Sequence, residues 1–431
     1  MPNFNRVQFP SQRSVIQRLR RIWNVAPAVP LPVRVLTLLA LGLALGVLLP
    51  SNAVVRTLYV SGTWFPRFIV TLAAFLVFNL LAAAMAKLIL YHKDRAGRLF
   101  LCILALYVVM GLVSLVYATG WLAFVSGLPL TLPGAPLPGP LDWLRQIGGT
   151  LLNLLSQQPL LQALGGGMLI GWLTASIPAL HRAAYGFIFA GDLILTVFRK
   201  VLWYYPIMIG CLAIGIPLKF GNRGLALYGE CVLWDMIVIA LWCIAMMLFC
   251  KLVTQRTWKQ ILSYYGSVWP TGFGTGGSYD TLAVNLVSAE EDLGLKPEIA
   301  EVSIVFGTVL NKNCATMSVL IVTVIVARLL NIPISLFELA LLIPPVAILG
   351  LETPGIPGGA GYFMSPILAV LLHVPNPAVW VTTFVSMYSG LIPMFSTAGN
   401  TTDDGVVGAI LEDCFESAPA KSTSLQEGAA A

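Results

Sequence analysis

Residues 269–282 read WPTGFGTGGSYDTL and residues 351–363 read LETPGIPGGAGYF, two glycine-rich interruptions in otherwise apolar sequence. The first interrupts a segment over about 257–295, and the second interrupts one over about 335–375. Irregular backbone at membrane depth is tolerated only where protein or a water-filled cavity covers it. Two such tips at corresponding places predict two re-entrant helical hairpins, called here the first and second hairpin, that meet near the middle of a membrane.

Each hairpin is followed by a segment with an unusual polar cluster. GTVLNKNCATMS (307–318) follows the first hairpin, and FSTAGNTTDDGVVGAIL (395–411) follows the second. Asn400 and Asp404 are four residues apart and therefore share a helix face. A carboxylate and an amide carbonyl on one face, near free main-chain carbonyls, form oxygen-rich ligation suited to a hard cation. An ionisable group in a membrane is costly, so a functional Asp404 is predicted, with a carboxyl that only pins helices together as the alternative.

The composition is that of a polytopic membrane protein. Of 431 residues, 58% are hydrophobic and 10% are charged, whereas soluble domains carry about a quarter charged residues. The mean hydropathy is +0.85. These values exclude a water-soluble enzyme, a nucleic-acid binder and a disordered protein. The seven cysteines form no CxxC pair and only three histidines occur, so we expect no zinc site and no disulfide framework. We also expect no organic cofactor.

The distribution of charge predicts how the chain sits in the membrane. The N-terminal residues 1–32 are rich in arginine and free of acidic residues, which predicts a cytoplasmic tail. Charge-free stretches long enough to cross a bilayer follow it. Residues 126–145 are rich in proline and glycine and predict an extracellular loop. Residues 415–431 are small and polar and predict a disordered cytoplasmic tail. We expect an integral plasma-membrane protein of the bacterial inner-membrane type, surrounded by lipid.

Motifs in several segments carry a resemblance to a known family. GDLILTVFRKVLWYYPIMIG (191–210) is similar to its fifth helix, and GTVLNKN to its unwound seventh helix. Ser278 with Thr281-Leu282 resembles the tip of its first hairpin, and GIPGG (355–359) the tip of its second. The segment from Asn400 to Ile410 resembles its eighth-helix Asn-x-x-x-Asp cation motif. From about residue 33 to 412, the chain resembles the dicarboxylate/amino acid:cation symporter family, the homologues of glutamate and aspartate transporters.

The resemblance implies an all-α elevator-type transporter with inverted repeats, eight transmembrane helices and two re-entrant hairpins, usually a homotrimer. A static scaffold and a sliding transport domain would give alternating access, with the second hairpin as gate. The implied divisions are scaffold helices 1–2 over 33–94, transport-domain helix 3 over 95–125, scaffold helices 4–5 over 146–220, and the rest of the transport domain, from helix 6 to helix 8, over 221–414.

The departures from the family concentrate at its binding site. The aspartate that holds a substrate amine and the arginine that holds a substrate carboxylate in related amino-acid transporters align with Pro393 and Ser396, and neither residue can do that job. The methionine and the cation-ligating aspartate of the family's seventh helix are Lys312 and Asn313 here. Fewer coupled cations are therefore expected.

Lys312 supports two hypotheses, which the sequence leaves open. Its ammonium can replace a coupling ion as a tethered charge. Alternatively, it can serve as the positive partner of an anionic substrate, as a point charge without the bidentate fork of arginine. At that depth the lysine needs a partner, and Asp403 or Asp404 is the expected one.

We expect a secondary transporter that couples the movement of a small organic acid (dicarboxylate) or amino acid to sodium or protons. The candidate substrate-binding residues are Ser278, Asp280, Lys312, Gly355, Pro357, Gly358, Ser396 and Thr397. The candidate cation-binding residues are Gly307, Asn311, Asn313, Thr353, Asn400 and Asp404.

Three alternatives accompany this expectation. Proton coupling would use a carboxyl group removed from water, and Glu230, Asp235, Asp280 and Glu352 are the candidates. A transport-deficient or channel-like relative with a decayed site would explain the missing substrate anchors. An intramembrane enzyme is disfavoured, because no nucleophile with a base and no HExxH motif occurs.

Overall fold

The computed structural model describes residues 31–92, 96–131, 142, 145, 148–149, 159–201, 204–353, 355 and 357–416. These residues are folded as fifteen α-helices joined by turns. The predicted N-terminal tail up to residue 30, residues 132–141 of the proline- and glycine-rich loop, and the C-terminal tail beyond residue 416 lie outside the described residues.

The first half of the chain contributes seven helices to the described part: α1 (Leu31–Leu48), α2 (Ala53–Gly62), α3 (Trp64–His92), α4 (Ala96–Val125), α5 (Pro159–Ser176), α6 (His181–Val201) and α7 (Tyr205–Val253). The second half contributes eight: α8 (Trp258–Thr275), α9 (Ser278–Glu291), α10 (Pro297–Leu310), α11 (Asn313–Leu330), α12 (Leu336–Glu352), α13 (Gly359–Leu371), α14 (Pro377–Tyr388) and α15 (Leu391–Glu416).

The early helices pack closely through small residues. Helix α1 packs along α7, and α3 packs along α5 and α6. Gly42 of α1 faces Gly210 of α7, where a Cβ atom on Gly42 would overlap the main-chain oxygen of Gly210. Small residues let helices approach where lipid provides no hydrophobic drive for association. Helix α7 breaks at Gly221, which adopts φ 56°. The break lies at the predicted division between scaffold and transport domain, which itself remains a prediction.

The two predicted hairpins are helical hairpins that begin in the same way. Helices α8 and α9 form the first hairpin, and α12 and α13 form the second. Thr257 and Gln260 form a capping box at the start of α8, and Ser335 and Glu338 form one at the start of α12. Each box satisfies two main-chain N–H groups that a helix start leaves without partners. The glycine-rich tips end α8 and α12 where the sequence predicted an interruption.

The core of the later half is α11, which contacts α4, α7, α14 and α15. Its residues are buried with the exception of Arg328 and Leu330, because the helix is apolar on every side. In contrast, α4 and α7 carry outward-facing apolar side chains, with Phe124 85% and Leu252 81% exposed. Apolar surface of this kind suits contact with lipid.

By length and composition, three helical segments of the described part could cross a membrane: Leu101–Val125, Pro206–Val253 and Ile299–Leu330. The pair Pro377–Tyr388 and Leu391–Cys414, bent by 68°, could form a fourth. Shorter apolar helices, including both arms of the second hairpin, fall below that length. The predicted count of eight spans therefore stays a prediction.

Candidate functional site

The tips of the two hairpins meet. The main-chain N–H of Tyr279 donates to the carbonyl oxygen of Gly355 at 3.3 Å. A Cβ atom on Gly277 would lie 3.0 Å from Cδ of Pro357, and one on Gly355 would lie 3.0 Å from Cβ of Ser278. The backbone of each tip therefore lies directly against the other tip.

A small cavity, with a free volume of about 20 Å³, lies where the tips meet α11 and the start of α15. One water molecule needs about 10–15 Å³ of such space, so the cavity as it stands holds little more than one water. Its lining residues are Ser278, Lys312, Ala315, Thr353, Gly355, Gly358, Gly359, Ala360, Tyr388, Pro393, Ser396, Thr397 and Asn400.

Six of the eight residues predicted to bind substrate line this cavity. Asp280 and Pro357 are not among its described lining residues. Asp280 is half-buried in the first turn of α9, and Pro357 is buried in the contact between the tips. Sequence analysis missed Tyr388, whose aromatic ring on α14 carries no local motif.

Asp404 of α15 lies at the centre of a buried polar cluster. Its Oδ1 accepts hydrogen bonds from Nδ2 of Asn311 at 2.8 Å and from the hydroxyl of Tyr107 at 3.4 Å. Its Oδ2 accepts one from Nδ2 of Asn285 at 3.4 Å. Nδ2 of Asn311 also donates to the main-chain oxygen of Asn400 at 2.8 Å. The cluster thus joins α4, the first hairpin, the end of α10 and α15.

That this cluster binds a cation stays a prediction. Gly307 lies so close to the carboxylate of Asp404 that a Cβ atom there would overlap it. One negative charge among amide, hydroxyl and main-chain oxygens suits a hard cation such as Na⁺. A half-turn of the Asn311 amide would turn its oxygen, instead of its nitrogen, toward Asp404. In the part of the chain that the structure describes, no three His, Cys, Asp or Glu residues come together as a metal site.

Two residues predicted as cation ligands lie apart from Asp404. The Asn313 amide donates to Oδ2 of Asp403 at 3.4 Å, and the indole N–H of Trp242 donates to the same oxygen at 2.9 Å. Thr353 lies at the end of α12, where its hydroxyl donates to the carbonyl oxygen of Leu349 at 3.0 Å. The structure therefore gathers Gly307, Asn311, Asn400 and Asp404, and places Asn313 beside the neighbouring carboxylate.

The ammonium of Lys312 is bound by main-chain oxygens. Its Nζ donates to the carbonyl oxygens of Thr308 at 2.9 Å, Val309 at 3.2 Å and Asn311 at 2.9 Å. Lys312 forms no hydrogen bond with Asp403 or Asp404, the expected partners, and Asp404 acts on it only through space. The reason is that the chain leaves the helical conformation at Asn311 and Lys312, which exposes carbonyls closer to the ammonium than either carboxylate.

The other predicted carboxyl groups differ in their surroundings. Glu230 forms an ion pair with Arg328 at 2.6 Å, with both side chains about a third exposed. Asp235 is fully buried, and neither of its carboxyl oxygens has a hydrogen bond of ordinary geometry within the described residues. The Ser318 side chain is a polar group close enough to interact with it. The side chain of Glu352 lies outside the described residues.

Comparison with known proteins identifies the family. A model of the sodium:dicarboxylate symporter family matches residues 31–414. The chain belongs to the sodium:dicarboxylate symporter family. This match confirms the resemblance found in the sequence. The protein is an integral membrane protein of a transporter family and not an enzyme, and the described part of its chain is helical.

Two relatives show how far this likeness extends. An excitatory amino acid transporter of Onchocerca volvulus is 22% identical over 236 residues, which cover 54% of this chain and 47% of that protein. The serine/threonine transporter SstT of Lacticaseibacillus casei (strain BL23) is 25% identical over 390 residues, 86% of each chain. The first match spans about half the length of the relative, whereas the second spans most of it.

Proposed function

We propose that this protein is a secondary transporter that couples the movement of a small amino acid or organic acid to that of a cation. Sodium is the first candidate for this cation. One observation carries the proposal: Asn400 belongs to both sites. It lines the cavity between the hairpin tips, and its main-chain oxygen accepts from the same Asn311 amide that holds Asp404. A cation that turns the Asn311 amide would therefore change the wall of the cavity, which is the link that coupled transport needs.

The chemistry of the cavity favours a neutral, hydroxyl-bearing substrate over a dicarboxylate. An ammonium has three N–H donors, and Lys312 uses its donors on three carbonyl oxygens. The remaining polar side chains among the lining residues are hydroxyls and one amide, from Ser278, Thr353, Tyr388, Ser396, Thr397 and Asn400. The name of the SstT relative agrees with this preference. We therefore propose a small hydroxy amino acid as substrate, with small organic acids transported less well.

We further propose that transport follows an elevator mechanism in a homotrimer, in which helix 3 and the helices after Gly221 slide against the scaffold. The second hairpin would act as gate, because its tip forms one wall of the cavity. Its short apolar arms, capped like those of the first hairpin, support re-entrant hairpins that do not cross the bilayer. Both termini would lie in the cytoplasm of a cell whose inner membrane holds the protein.

Uptake into proteoliposomes tests the function. Purified protein is reconstituted, and entry of labelled serine, threonine, aspartate and succinate is followed under an inward sodium gradient, a proton gradient or neither. We expect sodium-driven uptake of serine or threonine that Asp404→Asn abolishes, whereas Gly266→Ala, an exposed change on α8, leaves it unaltered. Uptake that follows only the proton gradient would replace sodium by protons as the coupling ion.

A transport-deficient or channel-like relative is the alternative, and Pro393 and Ser396 favour it. Both line the cavity, and neither offers a charge to a substrate amine or carboxylate. If the folded protein accumulates none of the four solutes, the transport proposal fails. A current that needs no solute would then support the channel-like relative.

A further inference from the structure

The break between α10 and α11 leaves carbonyl oxygens without their helical partners. Helix α10 ends at Leu310, and Asn311 is extended with φ −83° and ψ 113°. The last four carbonyls of a helix have no intrahelical N–H partner and carry the negative end of the helix dipole. The Gly307 oxygen accepts from the N–H of Asn311, whereas those of Thr308 and Val309 remain for another donor.

Lys312 supplies that donor from its own side chain. Its ammonium binds the carbonyl oxygens of Thr308, Val309 and Asn311 at 2.9–3.2 Å, and the residue is 4% exposed. Three donors meet three acceptors, so the group is saturated without any solute. The carboxylate of Asp404 also attracts this charge through space.

The second hairpin lies on these same carbonyls. A Cβ atom on Gly355, at its tip, would lie 2.9 Å from the Thr308 oxygen. In its stem, a Cβ atom on Gly350 would lie 3.9 Å from Cβ of Lys312. Carbonyl oxygens covered by a hairpin and left without a donor or a cation cost free energy. Whatever neutralises them therefore stabilises the closed position of the tip.

We propose that the Lys312 ammonium is a built-in cation that fills the carbonyl site at the end of α10 and lets the second hairpin close without a second dissolved cation. The site itself would then accept any small monovalent cation, Na⁺ or a primary alkylammonium, once the lysine side chain is removed. The consequence for coupling is that one dissolved cation fewer moves in each transport cycle, and this consequence rests on the proposed transport function. The binding of a cation at the carbonyl site does not depend on that function.

The test is chemical rescue of the full-length protein in detergent. Thermal unfolding of the wild type, Lys312→Ala and Lys312→Met is measured in choline chloride, with NaCl or methylammonium chloride replacing choline at constant ionic strength. Lys219→Met is the control, since Lys219 lies over the ring of Tyr59, 5.0 Å from its centroid, in the early half of the chain. The wild type and the control should ignore methylammonium.

We expect Lys312→Ala to melt lower than the wild type in choline and to recover saturably in methylammonium or sodium. The melting temperature of Lys312→Ala should also rise more steeply with sodium concentration than that of the wild type, as expected for two sodium sites instead of one. In Lys312→Met, an uncharged side chain fills the space of the lysine side chain. This variant should therefore melt lower than the wild type and should be restored less by small cations than Lys312→Ala.

Two results would overturn the proposal. One is a Lys312→Ala variant that is destabilised but that no small cation restores, which would make the lysine a packing residue. The other is failure of both variants to fold in every salt, because a site for a dissolved cation would then not exist. If the rescue succeeds while the wild type takes up no solute, the transport proposal falls and the cation site stands.

Discussion

Replacing Gly307 by alanine tests the arrangement on which the proposed cation binding depends. A Cβ atom at this position would overlap the carboxylate of Asp404 and lie 2.5 Å from the hydroxyl oxygen of Tyr107. To restore an ordinary contact, the carboxylate must retreat by on the order of 1 Å. That movement breaks its 2.8 Å hydrogen bond from Asn311.

The expected magnitude follows from three contributions. Overpacking a core costs about 1–3 kcal/mol, and a lost hydrogen bond to a charged group costs about 1.5–3 kcal/mol. Alanine in a helix regains roughly 1 kcal/mol relative to glycine. The free energy of unfolding should therefore fall by about 1.5–5 kcal/mol. The apparent sodium affinity should fall at least tenfold, or by about 1.4 kcal/mol.

The assay is thermal unfolding across a sodium titration, since a ligand at 100 times its dissociation constant stabilises by about 2.7 kcal/mol. Gly266→Ala is the matched control, because a Cβ atom there meets no atom within 4 Å. The Gly266→Ala variant should gain up to about 1 kcal/mol in free energy of unfolding and keep the wild-type midpoint of the sodium titration. A Gly307→Ala protein with unchanged stability and midpoint would refute the idea that Asp404 is held against α10.

Three further changes probe groups outside the cavity, each by thermal or denaturant unfolding of the purified protein. Glu412→Ala should lower the free energy of unfolding by about 3–5 kcal/mol, because it removes the counter-charge of the largely buried Arg256 guanidinium, which lies 2.7 Å from the Glu412 carboxylate. Glu412→Gln should cost less, and equal losses in the two variants would contradict the role of the ion pair. Trp242→Phe should cost about 1.5–3 kcal/mol by removing the N–H donor to Asp403, and a neutral outcome would show that another donor replaces it. Asp235→Asn should change the free energy of unfolding by less than about 1 kcal/mol, since no described residue gives either carboxyl oxygen a hydrogen bond of ordinary geometry. A pH dependence of uptake that disappears in this variant would assign a proton to Asp235, and an unaltered dependence would exclude it.

The fold-defining features were predictable because they are local. The glycine-rich interruptions mark the hairpin tips, and the capping residues Thr257 and Ser335 precede the apolar arms by short-range rules. The spacing of Asn400 and Asp404 places both on one side of α15. Each of these patterns occurs within a few residues, so a single sequence contains it in full.

The partners of the polar groups were not predictable, because they come from distant parts of the chain. Asp404 is held by Tyr107, which precedes it by 297 residues, and by Asn285, which precedes it by 119. Neither residue stands in a motif. Asn285 offered one general signal, a polar side chain in an apolar hairpin arm, whereas Tyr107 offered none.

The sequence by itself determined that this is a polytopic helical membrane protein with two interrupted hairpins, and it predicted a carboxylate placed to bind a cation. Hydropathy and helical periodicity suffice for that, since both act on neighbouring residues. Only the tertiary structure decided what Lys312 does. Charge alone favoured a carboxylate partner, but the break after α10 aims three carbonyl oxygens at the ammonium. The distances set by the folded backbone, and not the signs of the charges, select the partner.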